Sequence, residues 1–571
     1  MTQWRLVPGA LVVWALSFAA IWLRGGSGLW IVVVVFGIAL IGCLKVDVGQ
    51  AIMCGLLGLS TLMISMMRVW RVDRYEWGRT IIVQAVSRPR RTNSGWMQEV
   101  GVPDYPATIP VLSDTPLTIP PGAMVEITGT AITTDRIGLS NTLFTAQDWQ
   151  LIAPPPVAHA VSNAINASFT QAVTTYVDGD AAALIPAMVL GDTTAQSAEL
   201  SAVVKASGLA HLTAVSGANV AIIATCAALV SSRFPLWLRS CVVLMSIIGF
   251  VTVVGPEPSV LRAAVTGIIG VVAIIAASTS TPIHGLALTT IGLLYWDTSL
   301  AAHVGFILSI VATAGILLLY PVLLRFFVSL PAPAIAVRAL AVALAAQLVT
   351  MPIVATMSGT ISVVAVLANV IAAPVVAPIT LLGMAAVVLS LIHPDAAMPL
   401  MVLVELLADW VVFSARTTAT LPGAQLTIDS PFAFWWAVLA ACWVVALLYR
   451  RLFKTLVLLV AAILIIPSPP LDITKPQPRD PLTLSTLTVE TIDELEKLGR
   501  DVNRDGLSDG IAPGTEIILV LRAPPARRVG RVKPIHRPTI TREGIPVIFA
   551  NRHPDVIVYS DGSQHAVDGS F

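Results

Sequence analysis

Ser207–Leu229 reads SGLAHLTAVSGANVAIIATCAAL, an apolar run whose first half carries Gly208, His211, Thr213, Ser216, Gly217 and Asn219. A helix that only anchors a protein in lipid would not spend its first turns on such groups, because each costs free energy in hydrocarbon unless it meets protein or water. The run therefore predicts a segment facing a protein interior or an aqueous path. His211 and Ser216 admit a hydrolase, with the hydroxyl as nucleophile and the imidazole as base. On an α-helix, however, a spacing of five residues amounts to about 140° of rotation, which keeps the two side chains apart. No Gly-x-Ser-x-Gly elbow supports that chemistry. Two glycines and an asparagine within Ser207–Val220 fit either a broken helix that turns backbone polar groups toward a path, or close small-residue packing between helices.

Further polar groups fall inside apolar runs: Arg262, Asp297, His303, Gln347, Asn369, Glu405 and Asp409. Arg262 has three readings there: it snorkels, pairs with an acid, or faces phosphates in a pore. Gln347 and Asn369 suit hydrogen bonds between helices, whereas Glu257 and Asp297 lie near helix ends and are expected to meet water. Near the C-terminal end, Asp501, Asn503, Asp505 and Asp509 take positions 1, 3, 5 and 9 of a calcium-type loop with Gly506 at position 6. Position 12 is Ala512 rather than an acid, so calcium in the tail and a plain acidic turn both stay open. Arg522, Arg527, Arg528, Arg531, Lys533, Arg537 and Arg542 follow without an intervening acid, a run suited to a polyanion or to simple solvation. No cofactor is otherwise required.

The elements that must position these residues are those of a membrane. Of 571 residues 56% are hydrophobic and only 12% charged, with a mean hydropathy of +0.83, which excludes an ordinary soluble enzyme. A net charge of +1 gives no global attraction for nucleic acid. The five cysteines lie in apolar runs without Cys-x-x-Cys pairing and read as small hydrophobes. The expected fold is a polytopic α-helical membrane protein of about 10–13 hydrophobic segments with an extracytoplasmic all-β, OB-like domain. Residues 1–70 hold three spans, Leu6–Leu23, Leu29–Leu44 and Ala51–Met67. Residues 71–155 alternate in short β-type runs between Pro- and Gly-rich turns, as in a compact OB-like barrel or a sandwich. Their basic cluster, Arg88, Arg90 and Arg91, reads as a loop patch for phosphate or a solvated turn. Tyr105, Phe144, Trp96 and Trp149 are candidate stacking platforms.

Residues 156–206 predict an amphipathic helix, with Val161, Ile165, Phe169 and Val173 on one stripe and Ser162, Asn163, Asn166 and Gln171 away from it, lying along the membrane surface. A second helix running to Lys205 is expected to be capped by Thr194. Residues 207–467 form the multi-span region, and alternation of charges requires one piece of Ile361–Ile392 to be broken or re-entrant, with Pro374 and Pro378 as the expected breakers. Residues 468–571 form a polar tail expected on the exterior.

The same residues carry a family likeness. Gly191-Asp192 and Ser207-Gly-Leu-Ala-His211-Leu-Thr-Ala-Val-Ser216-Gly217-Ala-Asn219-Val resemble the signature of ComEC-type competence proteins, the inner-membrane DNA channels of natural transformation. Pro258-Ser-Val-Leu-Arg262, Trp296-Asp297 with Gly305-Phe-Ile-Leu-Ser309, Gln347-Leu-Val-Thr-Met-Pro352 and Leu367-Ala-Asn369-Val agree with it. The resemblance implies passage of single-stranded DNA across the cell membrane, with Asp192, His211, Ser216, Gly217, Asn219, Arg262 and Asn369 lining or shaping the path. It also implies, as partners, the lipid bilayer, a DNA receptor, a cytoplasmic translocase and a separate nuclease. The chain departs from the family in two respects. Asn219 stands where many relatives have histidine, and the metallo-β-lactamase-like domain with its His-x-His-x-Asp-His motif is missing, so neither nuclease activity nor zinc is assigned. A transporter or exporter of another polar substrate, and an intramembrane enzyme, are the alternative readings.

Overall fold

A computed structural model describes residues 4–24, 37, 47–92, 95–117, 119–134, 137–213, 215–276 and 281–427, together with short strands between 486 and 566. Two compact units divide the chain, Met1–Leu456 and Val457–Phe571.

The first unit opens with α1 (Leu6–Leu23) and α2 (Val48–Asp73). Asp47 starts α2 by accepting the Gln50 N–H at 3.0 Å, so the helix begins before the expected Ala51. It also outruns Met67, because Arg68 points into protein rather than lipid: it donates to the Thr298 hydroxyl at 2.6 Å and to the Trp296 and Tyr295 carbonyls at 2.7 and 2.9 Å. Except for Gly37, the expected span Leu29–Leu44 lies outside the described residues.

Six strands follow: β1 (Thr80–Ala85), β2 (Arg90–Thr92), β3 (Gly95–Gly101), β4 (Thr108–Ser113), β5 (Met124–Thr133) and β6 (Thr142–Ala153). The sheet order is β1-β5-β6-β4-β3-β2, and β1 also pairs with β3, which closes five of the strands on themselves. Only the β4–β6 pairing is parallel. The period-two pattern of the sequence turns Ile81, Val83, Ile109, Val111, Val125 and Ile127 inward. Two of the four aromatic platforms are core instead. Phe144 is fully buried, and Tyr105 packs against Tyr75 and Trp77 at ring distances of 5.0 Å. The Tyr105 hydroxyl donates to Ser140 at 2.7 Å, and burial raises its pKa. Trp96 and Trp149 are half-buried.

The expected amphipathic helix is present as α3 (Val157–Tyr176). Its polar residues do not all face water. Asn163 Nδ2 donates to the Pro121 carbonyl at 3.0 Å, while Ser162 Oγ and Asn166 Nδ2 donate to the Val253 carbonyl at 3.1 and 3.0 Å. Asn166 is buried, so this part of the stripe ties the strand domain to the helical body. Next come α4 (Gly179–Leu190) and α5 (Ala198–Ala206). Ser197 caps α5 by accepting the Leu200 N–H at 3.0 Å. The expected cap, Thr194, is engaged elsewhere, donating its hydroxyl to Asp192 at 2.5 Å.

The body continues with α6 (Gly217–Val230), α7 (Leu236–Val254), α8 (Pro258–Ile275), α9 (Pro282–Trp296), α10 (Val304–Phe327), α11 (Ala334–Ser358), α12 (Ala365–Ile392) and α13 (Met398–Ala419). Among the described residues eight helices are long and apolar enough to cross a membrane: α1, α2, α7, α8, α10, α11, α12, and α13 with the turn before it. Between α9 and α10 lies a 3-10 turn, Thr298–Ala301, which Asp297 caps by accepting the Ser299 N–H at 2.9 Å. The expected break at Pro374 and Pro378 does not occur, since α12 runs through both. Donors from α13 meet carbonyls of the same stretch, Trp410 Nε1 on Ile371 at 2.9 Å and Ser414 Oγ on Ala368 at 3.3 Å. The chain breaks ahead of α12 instead. Gly359, at φ +64°, ends α11, and β7 (Thr360–Ser362) pairs antiparallel with β8 (Gln425–Thr427).

In the second unit β9 (Thr486–Thr491), β10 (Ile517–Arg522) and β12 (Pro546–Phe549) pair in parallel, with β11 (Thr539–Ile540) antiparallel at the edge of β12. β13 (Val556–Val558) and β14 (Gln564–Ala566) form a separate antiparallel pair. The candidate calcium ligands Asp501, Asn503, Asp505 and Asp509 lie outside the described residues, as does the part of the expected multi-span region from 428 to 467.

Candidate functional site

The two short apolar helices, α4 with 12 residues and α6 with 14, are each only about 18–21 Å long, less than a bilayer core. They meet at their ends. Gly191 closes α4 in the left-handed region at φ +76°, sending the Gly191 and Asp192 N–H groups back to the Ala187 and Pro186 carbonyls. That leaves the Met188 carbonyl for Asn219, whose Nδ2 donates to it at 3.0 Å from the first turn of α6. Asn219 Oδ1 in turn accepts from Thr380 Oγ1 of α12 at 3.3 Å, and the asparagine is only 5% exposed. One amide thus binds three helices at a point where two of them stop.

The segment between α5 and α6 is not a helix carrying His211 and Ser216 on different faces. Gly208 takes φ +78°, which ends the α5 turn. His211 sits in a short 3-10 turn, Ala210–Leu212, with its side chain exposed, and Ser216 is the extended residue ahead of α6. The helical rotation that separated the two in the sequence reading therefore does not apply. A Cβ on Gly208 would strike Ala365, so this corner packs directly on the start of α12, where Ser362 Oγ also donates to the Ala206 carbonyl at 2.8 Å. Asn369 lies one turn further along α12, half-buried, and bonds the Ala365 carbonyl of its own helix at 2.8 Å.

Arg262 on α8 is 8% exposed. Its Nε donates to Ser309 Oγ of α10 at 2.7 Å, and among the described residues no carboxylate pairs with it. Its guanidinium lies against Gly217, where a Cβ would collide with Nη2. One turn earlier, Ser259 Oγ donates to the Val215 carbonyl at 3.0 Å. Three stretches distant in sequence, Val215–Asn219, Ser259–Arg262 and Ser309, are therefore drawn to one place.

Asp192 stands beside this junction but is not open. Arg88 of the strand domain pairs with it, and it accepts the Thr194 N–H at 3.0 Å. Arg90 pairs with Glu257, just ahead of α8, at 3.2 Å. Two arginines of the suggested phosphate patch thus hold the strand domain to the helical body. Arg91 lies on β2. Sequence reasoning missed Thr380 and the anchoring arginine Arg68. A single hydroxyl in an apolar run gives no signal, whereas Arg68 adjoining the run Ala51–Met67 was a legible one.

A strand domain fixed to a helical body with eight helices of membrane length, and two shorter apolar helices that meet end to end, fits a multi-pass helical membrane protein. Residues 188–453 match the model of the family described as Competence protein. No curated protein and no solved structure matches the chain. Among the described residues no group of three or more His, Cys, Asp and Glu side chains gathers as a metal site.

Proposed function

We propose that this protein is a channel that passes single-stranded DNA across the cytoplasmic membrane during natural transformation. The observation that carries the reading is the meeting of α4 and α6 inside the bundle, where broken helices turn backbone polar groups and helix ends toward an interior that continuous spans would leave dry. In this reading Ser216, Gly217 and Arg262 face the path, His211 and Asn369 shape its lower wall, and Asn219 and Asp192 hold its frame. The five closed strands, with one parallel pairing, suit an OB-type barrel on the exterior, where the strand would arrive. The tail is placed on the exterior too, with calcium at Asp501–Asp509, and a receptor, a nuclease and a translocase complete the pathway.

The test is uptake of labelled DNA in a competent strain lacking the gene, scoring internalised and surface-bound DNA separately. Loss of internalisation with surface binding intact, restored by the wild-type gene, supports the channel. Unchanged internalisation removes the DNA reading and leaves the transporter of another polar substrate.

A further inference from the structure

The first N–H groups of a helix have no partner within it, and a cap normally supplies one. At the start of α6 it does not: the Ser216 side chain makes no capping bond, and among the described residues the Gly217 and Ala218 N–H groups have no partner at the positive end of the helix dipole. A second positive group is packed onto this end. The Arg262 guanidinium reaches Gly217 so closely that any side chain there would displace Nη2, with Cζ 3.5 Å from where a Cβ would stand. Beyond the single bond from Nε to Ser309, its terminal nitrogens have no hydrogen-bond partner among the described residues.

The carboxylates that could have neutralised the pair are committed elsewhere, Glu257 to Arg90 and Asp192 to Arg88. A buried guanidinium stacked on a helix N-terminus, both positive and both short of acceptors, is costly unless an anion completes it. The required anion must offer several oxygens, to accept from two guanidinium nitrogens and from backbone N–H groups at once. A phosphodiester has that form, and Gly217 is the residue whose missing side chain lets the guanidinium and the helix end address the same oxyanion.

We propose that the N-terminus of α6 and Arg262 form a binding site for one phosphodiester of a single-stranded nucleic acid. The choice of nucleic acid as the source of the phosphate rests on the uptake reading; the oxyanion chemistry does not. A lone phosphate site of this kind grips one linkage and releases it when the next arrives, so it passes a strand without reading its sequence.

The experiment uses the full chain in phosphatidylcholine nanodiscs, with a fluorescent oligothymidylate titrated by anisotropy and thermal melting as the control for folding. Arg262→Gln is expected to weaken binding about 10- to 100-fold, as loss of charge-assisted bonds does, and Arg262→Lys to recover part of it. Arg325→Gln removes the same charge from the exposed end of α10 and is expected to bind as wild type. Should Arg262→Gln fail to fold, Gly217→Ala takes its place, since the added methyl pushes Nη2 out of position; it is expected to weaken binding while melting normally. Oligonucleotide affinity within twofold of wild type in a folded Arg262→Gln or Gly217→Ala protein overturns the site. So does a wild-type protein that binds no oligonucleotide but responds through Arg262 to phosphatidylglycerol in the disc, an outcome that would assign the oxyanion to a lipid headgroup. Loss of binding in both variants, with uptake unaffected in the gene-deleted strain, would uphold the site and remove the channel.

Discussion

Arg88, at the edge of the strand domain, and Asp192, just past the end of α4, form an ion pair that is largely shielded from solvent, with side chains 26% and 12% exposed. The pair fastens the strand domain to the residue that follows α4, beside the α4–α6 junction. Because it is only partly exposed, breaking it strands a charge in a poorly hydrated place, and the expected cost lies between that of surface and buried pairs, about 1–3 kcal/mol. Arg88→Gln and Asp192→Asn are each expected to lower the melting temperature of the detergent-solubilised protein, and the double variant to lose no more than either alone. Additive losses would show that the two side chains act independently.

The same pair shows what the sequence could and could not disclose. Arg88, Arg90 and Arg91 stand out as a cluster in an otherwise acidic segment, and a cluster of that kind suggests a ligand. Asp192 stands out as an acid beside a glycine turn. That two of these groups are each other's partners is a long-range fact, a separation of 104 residues, that no local pattern encodes. Helix existence was legible because apolar runs of bilayer length have few alternatives. The position of the break was not: Pro374 and Pro378 look like breakers, but α12 runs through both, whereas Gly208 and Gly191 break the chain by taking positive φ, which glycine permits without advertising. In the strand domain, alternation placed the core correctly, yet it could not say that Phe144 and Tyr105 face inward rather than toward a ligand.

Gly208 gives the second prediction. Alanine there would have to hold φ +78° and would also drive its Cβ into Ala365 Cβ, with the Ala365 Cα only 3.0 Å away. The first effect costs about 1–2 kcal/mol and the second about 1–3, because backbone must move. Gly208→Ala is therefore expected to destabilise far more than Gly249→Ala, where a Cβ meets open space. Melting of the two purified variants side by side checks the order; equal midpoints would mean that the 207–212 corner is not packed on α12.

Asn219 gives the third. Its amide donates to one helix and accepts from another, so Asn219→Ala leaves the Met188 carbonyl short of a partner while the Thr380 hydroxyl keeps its 3.0 Å bond to the Val376 carbonyl, for an expected loss of about 1–3 kcal/mol. Asn219→Asp should be worse, since the new oxygen faces the Met188 carbonyl and the buried site must either hold a charge or protonate it. Thr380→Val, which removes only the weaker 3.3 Å contact and leaves the amide its bond to Met188, should cost least. The ranking Asp, then Ala, then Thr380→Val is read from melting in detergent, and a milder effect for Asp than for Ala would refute the carbonyl-facing geometry.

Arg68 makes the last case, and there shape matters more than charge. Its guanidinium donates to two carbonyls at the end of α9 and to the Thr298 hydroxyl, three acceptors spread around one fork. It also places a positive charge at a helix C-terminus, where the dipole favours it. Lysine keeps the charge but cannot span the three acceptors with one ammonium. Arg68→Lys is therefore expected to cost about 1–2 kcal/mol and Arg68→Met about 3 kcal/mol or more, because methionine leaves all three oxygens without their donor. If the dipole alone held this corner, lysine would match arginine in the melting experiment. A clear gap between them, with methionine lowest, would show that α2 clamps the end of α9 through directed hydrogen bonds.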